Sequence, residues 1–222
     1  MDESKIKGVY FQEKDGRKKL FTKNLCPGKR VHKEFLLMEH NTEYREFDPF
    51  KSKLAAAILK GGDLEFLNEI KTILYLGASS GTTVSYLSDI LPESTIFALD
   101  HAPRVLRELL HVSKERGNVI PILADASKPE SYYWRILPAD FLYQDIAQRN
   151  QTEIFLKNCD LFLKNKGYAC LAIKARSIDV TKSPKKIYDE EKEKLARHVK
   201  IRQMIVLDPF EKDHCFFICQ KH

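Results

Sequence analysis

The chain predicts an α/β fold: a Rossmann-like, mostly parallel sheet with an antiparallel C-terminal strand, preceded by a small N-terminal β unit. Three observations carry this. From Thr72 onward, apolar runs at 73–76, 95–99, 119–124, 141–145 and 168–174 alternate with helical patterns, the signature of βαβ units and a parallel sheet. The last two apolar runs, 201–207 and 215–219, are joined by only 208–214, too short for a crossover helix, so they pair as an antiparallel hairpin. Residues 8–48 instead read as short strands (8–11, 19–22, 34–37, 42–47) broken at Asp15-Gly16, Pro27-Gly28 and His40-Asn41.

The helices follow from local signals. Residues 53–59 are strong helix formers closed by Gly61-Gly62. Val84, Leu87, Ile90 and Leu91 fall on one helical face. Pro103 suits a first helical position, with Gly117 as the stop. Asn150 and Glu153 have capping-box spacing, and Ser183-Pro184 opens a charged helix. The expected division is 1–50 for the antiparallel unit and 51–222 for the α/β domain.

Composition narrows the class. Of 222 residues 43% are hydrophobic and mean hydropathy is −0.38, which suits a soluble protein with a well-buried core. No apolar run approaches a membrane span, and the charged segment Met1–Lys7 lacks a signal-peptide core. Five cysteines without a C-x-x-C favour reduced thiols in a cytoplasmic protein and give no metal site. Net charge is +6. Seven Lys/Arg and no acid lie between Arg17 and Lys33, the better of two basic clusters for phosphate contact. In the other, Lys174 to Arg202, the signs alternate over 189–194 as on a solvated helix face.

Chemistry concentrates at strand ends. The run 73–76 meets the turn Gly77, Ala78, Ser79, Ser80, Gly81, Thr82, Thr83, and the next strand ends on Asp100. Strand, glycine turn, helix, strand and an acid about 20 residues on is how an open sheet holds a nucleoside cofactor, the carboxylate accepting from the ribose hydroxyls. Gly77 and Gly81 are not separated by the middle glycine that brings backbone against a pyrophosphate. That favours S-adenosylmethionine over a dinucleotide, with the turn hydroxyls suited to its amino-acid end. Two roles fit Asp125, an acceptor for an adenine amino group or a helix cap. Asp145 and Lys174 end consecutive strands, which places them together either as a structural ion pair or as acid and base beside an alcohol. Burial and a nearby carboxylate push a lysine pKa in opposite directions, so spacing leaves its protonation open.

At Tyr75–Ser85, Ser52–Leu59, Asp145–Gln148, Lys174–Asp179, Phe210–His214 and Leu20–Gly28 the chain resembles fibrillarin, over almost its whole length. Without a glycine/arginine-rich leader, it is similar to the shorter archaeal form. The resemblance implies guide-directed 2′-O-methylation of ribose in ribosomal and transfer RNA. The partners it implies are a box C/D guide RNA with its complementary rRNA or tRNA target, a Nop-family scaffold protein and a kink-turn-binding ribosomal-type protein. It implies cofactor contacts at Thr82, Thr83, Asp100, His101, Asp125, Ala126, Asp145, Ile146, Ala147 and Gln148, beside the turn residues Gly77, Ala78, Ser79 and Gly81. The implied catalytic set is Lys53, Asp145, Lys174 and His214, with Lys174 meeting the 2′-hydroxyl, Asp145 orienting it, and Lys53 and His214 placing the nucleotide. Asp100, His101 and Arg149 stand where the family usually has glutamate, phenylalanine and proline. A small-molecule or protein methyltransferase on the same scaffold is the alternative, and a deep closed acceptor pocket would mark it.

Overall fold

The computed structural model describes residues 1–14 and 16–222, so Asp15 of the expected Asp15-Gly16 turn lies outside them. Among the described residues two sheets form. The first comprises β1 (Asp2–Glu3), β2 (Val9–Lys14), β3 (Arg17–Lys23), β4 (Leu36–Glu39) and β5 (Thr42–Glu46), in the order β1-β2-β3-β5-β4 and antiparallel throughout. The fourth strand starts two residues later than expected. Glu34 is withdrawn from it, because its carboxylate accepts from the Val31 and His32 amides and from Arg45.

The chain then enters α1 (Lys53–Leu59) and, past a short 3-10 turn, the alternating region: β6 (Thr72–Leu76), α2 (Thr82–Ile90), β7 (Thr95–Asp100), α3 (Pro103–Glu115), β8 (Val119–Leu123), β9 (Ala139–Asp145), α4 (Gln151–Phe162) and β10 (Leu163–Lys174). It ends with α5 (Ala175–Ile178), α6 (Pro184–Ala196), β11 (Lys200–Val206) and β12 (His214–Gln220). Pro103 occupies the start of α3, and the Ser183 hydroxyl accepts from the Lys186 amide at the start of α6, both as the sequence predicts. The Asn150–Glu153 pair does not form. Asn150 makes no side-chain cap, and Glu153 pairs with Lys194 at 3.2 Å. The alternating charges of α6 pair along the helix at one point, Glu191 with Lys194 at 2.8 Å, and otherwise reach beyond it, Glu190 to Lys182 and Lys194 to Glu153.

The second sheet has the order β11-β12-β10-β9-β6-β7-β8. The expected antiparallel strand is β12, but it lies inside the sheet, paired antiparallel to both β10 and β11. A strand bearing Cys215, Phe216, Phe217, Ile218 and Cys219, all buried, is stable only with both faces and both edges covered. Alternate residues along each strand feed two cores. Ile73, Tyr75, Phe141 and Tyr143 face α1, α2 and the N-terminal sheet. Leu74, Leu76, Leu142 and Leu171 face α4 and α6.

From β6 the chain adds strands on one side through β7 and β8, then returns to the other side with β9. Strand order therefore reverses between β6 and β9, and an open sheet presents a crevice at that point, beyond the carboxyl ends of the strands. The N-terminal sheet is fastened beside it by buried charges. Arg45 of β5 donates to Asp89 of α2 at 2.6 Å and to Glu34 at 2.9 Å, and Arg116 also donates to Asp89. Two cations and two carboxylates balance, and Thr22 adds a 2.8 Å hydrogen bond to Asp89.

Candidate active site

The crevice is built from backbone first. Gly77 ends β6 with φ 81°, and both its amide and that of Ala78 donate to the Leu99 carbonyl at 2.9 Å. A Cβ on Gly77 would lie 2.2 Å from the Asp145 carbonyl oxygen. Only glycine allows β6 and β9 to end this close together. Gly77→Ala is therefore expected to shift the 77–81 turn and weaken cofactor binding by at least about tenfold, since the clash adds to strain at positive φ. Titration calorimetry measures it, and an unchanged affinity would contradict this role for the turn.

Asp100 is buried, and its two carboxylate oxygens accept from the Ser79 amide at 2.8 Å and the Ala102 amide at 2.9 Å. It thus fixes the outer half of the turn, leaving each oxygen a further lone pair. Beside it His101 is exposed. Thr82 begins α2 and shares a hydrogen bond with His32, a residue of the β3–β4 loop. Thr83, buried, is 3.1 Å from the hydroxyl of Ser52, the residue before α1. Asp125 caps no α-helix. Its carboxylate accepts from the Ser127 amide at 2.9 Å, and that bond holds its pKa below the ordinary carboxylate value. Ala126 is fixed through its carbonyl, which accepts from the buried Asn158 at 2.9 Å. Ile146, Ala147 and Gln148 follow β9 directly, the last two exposed.

Asp145 pairs with Lys53, not with Lys174 as expected: the ammonium and carboxylate are 2.8 Å apart and largely shielded from solvent. Helix α1 points its first residue at the end of β9, whereas Lys174 lies two register positions beyond Ala172, the β10 partner of Asp145. Burial lowers the pKa of Lys53, but the Asp145 charge outweighs it and the net shift is upward. Lys53 is therefore a fixed cation.

The Lys174 side chain is exposed and makes no hydrogen bond among the described residues. Its backbone is held instead. Gln151, fully buried at the start of α4, accepts from the Lys174 amide at 3.1 Å and donates to the Gln148 carbonyl at 2.8 Å. Lys174 is also the Cα partner of His214 across the β10–β12 ladder. Directly opposed residues of an antiparallel pair share one face, so the two side chains leave the sheet on the same face. His214 Nδ1 is 2.8 Å from the Lys212 carbonyl oxygen. A carbonyl only accepts, so Nδ1 carries the proton and Nε2 of the neutral ring offers its lone pair.

Three contributors escaped the sequence reading. Gln151 looks like an ordinary helix-start residue until β10 is placed beside it. Ser52 looks like a helix cap, yet makes no cap bond. His32 lies in a basic loop whose contact with α2 is 50 residues away in sequence. Burial lowers the His32 pKa against the pull of Glu34 and Glu108, with Arg45 and Lys51 adding to the lowering. The unfolded chain then binds more protons between the folded value and the ordinary ~6.5. The contribution of neutral His32 is present above that ordinary value and is lost as pH falls toward the folded one. The melting temperature of His32→Gln should accordingly depend less on pH between 5 and 7 than that of the parent chain.

Known proteins share this fold. A family model described as Fibrillarin matches residues 1–222. A relative named fibrillarin-like rRNA/tRNA 2′-O-methyltransferase, from Methanocaldococcus jannaschii, is 46% identical over 98% of this chain and 97% of its own length. The crystal structure of Aeropyrum pernix fibrillarin with natively bound S-adenosyl-L-methionine superposes with a TM-score of 0.87. It is 44% identical and covers 96% of this chain and 94% of that one. A fibrillarin/Nop5p complex superposes with a TM-score of 0.86 at 38% identity, covering 97% and 98%. Glycine turn, Asp100, the Lys53–Asp145 pair and the Lys174–His214 register thus lie in a fold shared along the full length, and the chain belongs to the fibrillarin family.

Proposed function

We propose that this chain methylates ribose 2′-hydroxyls in ribosomal and transfer RNA, using S-adenosylmethionine. The observation that supports the proposal is the Lys53–Asp145 ion pair at the strand-order reversal, beside a glycine turn backed by an acid, with Lys174 and His214 paired in register at the end of the adjoining strand β10, in a member of the fibrillarin family.

The residues present fit the cofactor. The Gly77 cradle brings backbone close without a Cβ, Asp100 keeps lone pairs for ribose hydroxyls, and the Thr82 and Thr83 hydroxyls suit an amino-acid end. Gly77, Ala78, Ser79, Gly81, Thr82 and Thr83 would hold that end and the ribose, while His101, Asp125, Ala126 and the 145–148 segment would hold the adenine side. When bound, the cofactor supplies a methyl group already activated on a sulfonium.

The protein then has to align an oxygen and take its proton. Lys174 would meet the 2′-oxygen and, through an amine lone pair, take its proton as the O–H bond breaks and the O–CH3 bond forms at the expense of the methyl–sulfonium bond, whose electron pair stays on sulfur. His214, with Nε2 free to accept, passes that proton to solvent. Asp145 places negative charge beside the cationic cofactor, and Lys53 holds Asp145 in position. Gln151 keeps Lys174 and Gln148 in register.

A paired RNA target fits such a surface, because an A-form minor groove is wide, shallow and lined with 2′-hydroxyls. We assign the target choice to base pairing with a box C/D guide RNA, and docking to a Nop-family scaffold, with a kink-turn-binding protein completing the particle in the cytoplasm. A Nop5p partner is present in the related complex. Within the chain, we assign residues 1–50 to support of the cofactor side and 51–222 to the chemistry. Assembly with a guide RNA and the two partner proteins, followed by mapping of 2′-O-methylation on a complementary RNA, tests the proposal. One modified ribose at the guide-specified position is expected, and an unmodified target overturns it.

A further inference from the structure

We propose that His32 is a positioning residue for the cofactor end of the active site, setting the Thr82 hydroxyl from outside the catalytic set. The inference rests on the functional reading above and extends it to the β3–β4 loop.

The contacts form a closed circuit. His32 Nε2 shares a hydrogen bond with Thr82 Oγ1, at the first residue of α2. The His32 amide donates to Glu34 Oε2 at 2.7 Å, and the Val31 amide to Oε1 at 2.9 Å. Glu34 accepts from Arg45 at 2.9 Å, and Arg45 donates to Asp89 at 2.6 Å, near the other end of the same helix. Arg45 also donates to Ser85 at 3.0 Å, whose hydroxyl in turn donates to the Thr82 carbonyl at 2.8 Å. The N-terminal sheet therefore grips α2 through Asp89 and reaches its start through His32. Both the backbone and the side chain of Thr82 are fixed.

A threonine hydroxyl has one proton and two lone pairs. Once His32 engages it, the hydroxyl rotor is fixed and its remaining capacity has a set direction, one residue after the turn 77–81. The helix is anchored separately by four buried charges, Arg45, Arg116, Asp89 and Glu34. His32 itself is only partly buried and lines two clefts of about 410 Å³ each. The contact thus carries geometry for the turn rather than the hold of the N-terminal sheet on α2.

Calorimetric titration of the full chain with S-adenosylmethionine, alongside kinetics in the assembled particle, tests this. His32→Leu should raise the dissociation constant and the KM for the cofactor about tenfold, the effect of losing one oriented hydrogen bond, with kcat within about twofold. His32→Gln, whose amide can replace the ring nitrogen, should recover most of the loss. In a Thr82→Val background, His32→Leu should cost nothing further. An unchanged affinity in His32→Leu overturns the assignment. So does an equal loss in His32→Gln accompanied by a fall in melting temperature, which would reduce the contact to packing. A parent chain that fails to bind the cofactor overturns the functional reading together with this one.

Discussion

Lys174→Ala is expected to lower 2′-O-methylation by about 10²- to 10⁴-fold, the usual reach of a positioned proton-transfer group, while cofactor affinity stays within about twofold. The expectation follows from how the residue is held. Its backbone is clamped by Gln151 on one side and by the β12 ladder on the other, yet its side chain is exposed and makes no hydrogen bond among the described residues. A side chain fixed at the root and free at the tip is available to a substrate, whereas Lys53 is already committed to Asp145 at 2.8 Å. Lys53→Ala should therefore behave differently. It frees the Asp145 carboxylate and should disturb cofactor binding and rate together. Turnover measured beside calorimetric binding separates the two, and full turnover in Lys174→Ala would remove it from the mechanism.

Arg45→Met is expected to destabilise the fold by about 3–5 kcal/mol, the typical result of removing one partner from a buried ion pair. Arg45 and Asp89 are completely buried, and Glu34 nearly so. Without Arg45, Asp89 keeps only Arg116, Thr22 and the Leu25 amide, and Glu34 keeps only backbone donors. For a domain of this size each kcal/mol moves the melting temperature by roughly 2–4 °C, so a fall of about 6–20 °C is expected. Lys5→Met provides the contrast: its pair with Glu65 is exposed on both sides, and such pairs contribute about 0–1 kcal/mol. Similar melting temperatures for Arg45→Met and Lys5→Met would show that the cluster is not what fastens the N-terminal sheet.

The inner strands of the large sheet were legible because each holds a nearly continuous apolar run, as burial on both faces requires. Gly77, Asp100 and Asp145 were legible for a related reason, since ligand-facing residues of such a sheet fall at the ends of those runs. The register of β12 was not, because two apolar runs and a short link define a hairpin without saying which strand lies inside. The Asn150–Glu153 spacing suggested a cap, but Glu153 finds Lys194 on α6 instead. Asp145 was expected beside Lys174 from strand adjacency. Its partner comes from α1, 92 residues earlier, and depends on how that helix is aimed. Arg45 and Asp89 read as polar positions on a strand and a helix, and His32 as one basic-loop residue among several. Charge pairs between elements 44 residues apart leave no periodic trace.

The acceptor we assign is a ribose 2′-oxygen. That assignment is tested most directly by giving the assembled particle two target RNAs that differ only at the guide-specified nucleotide, one with its 2′-hydroxyl and one 2′-deoxy, together with methyl-labelled cofactor. Label on the first target and none on the second is the expected result. Label on the deoxy target, or on protein with neither RNA modified, would contradict the account.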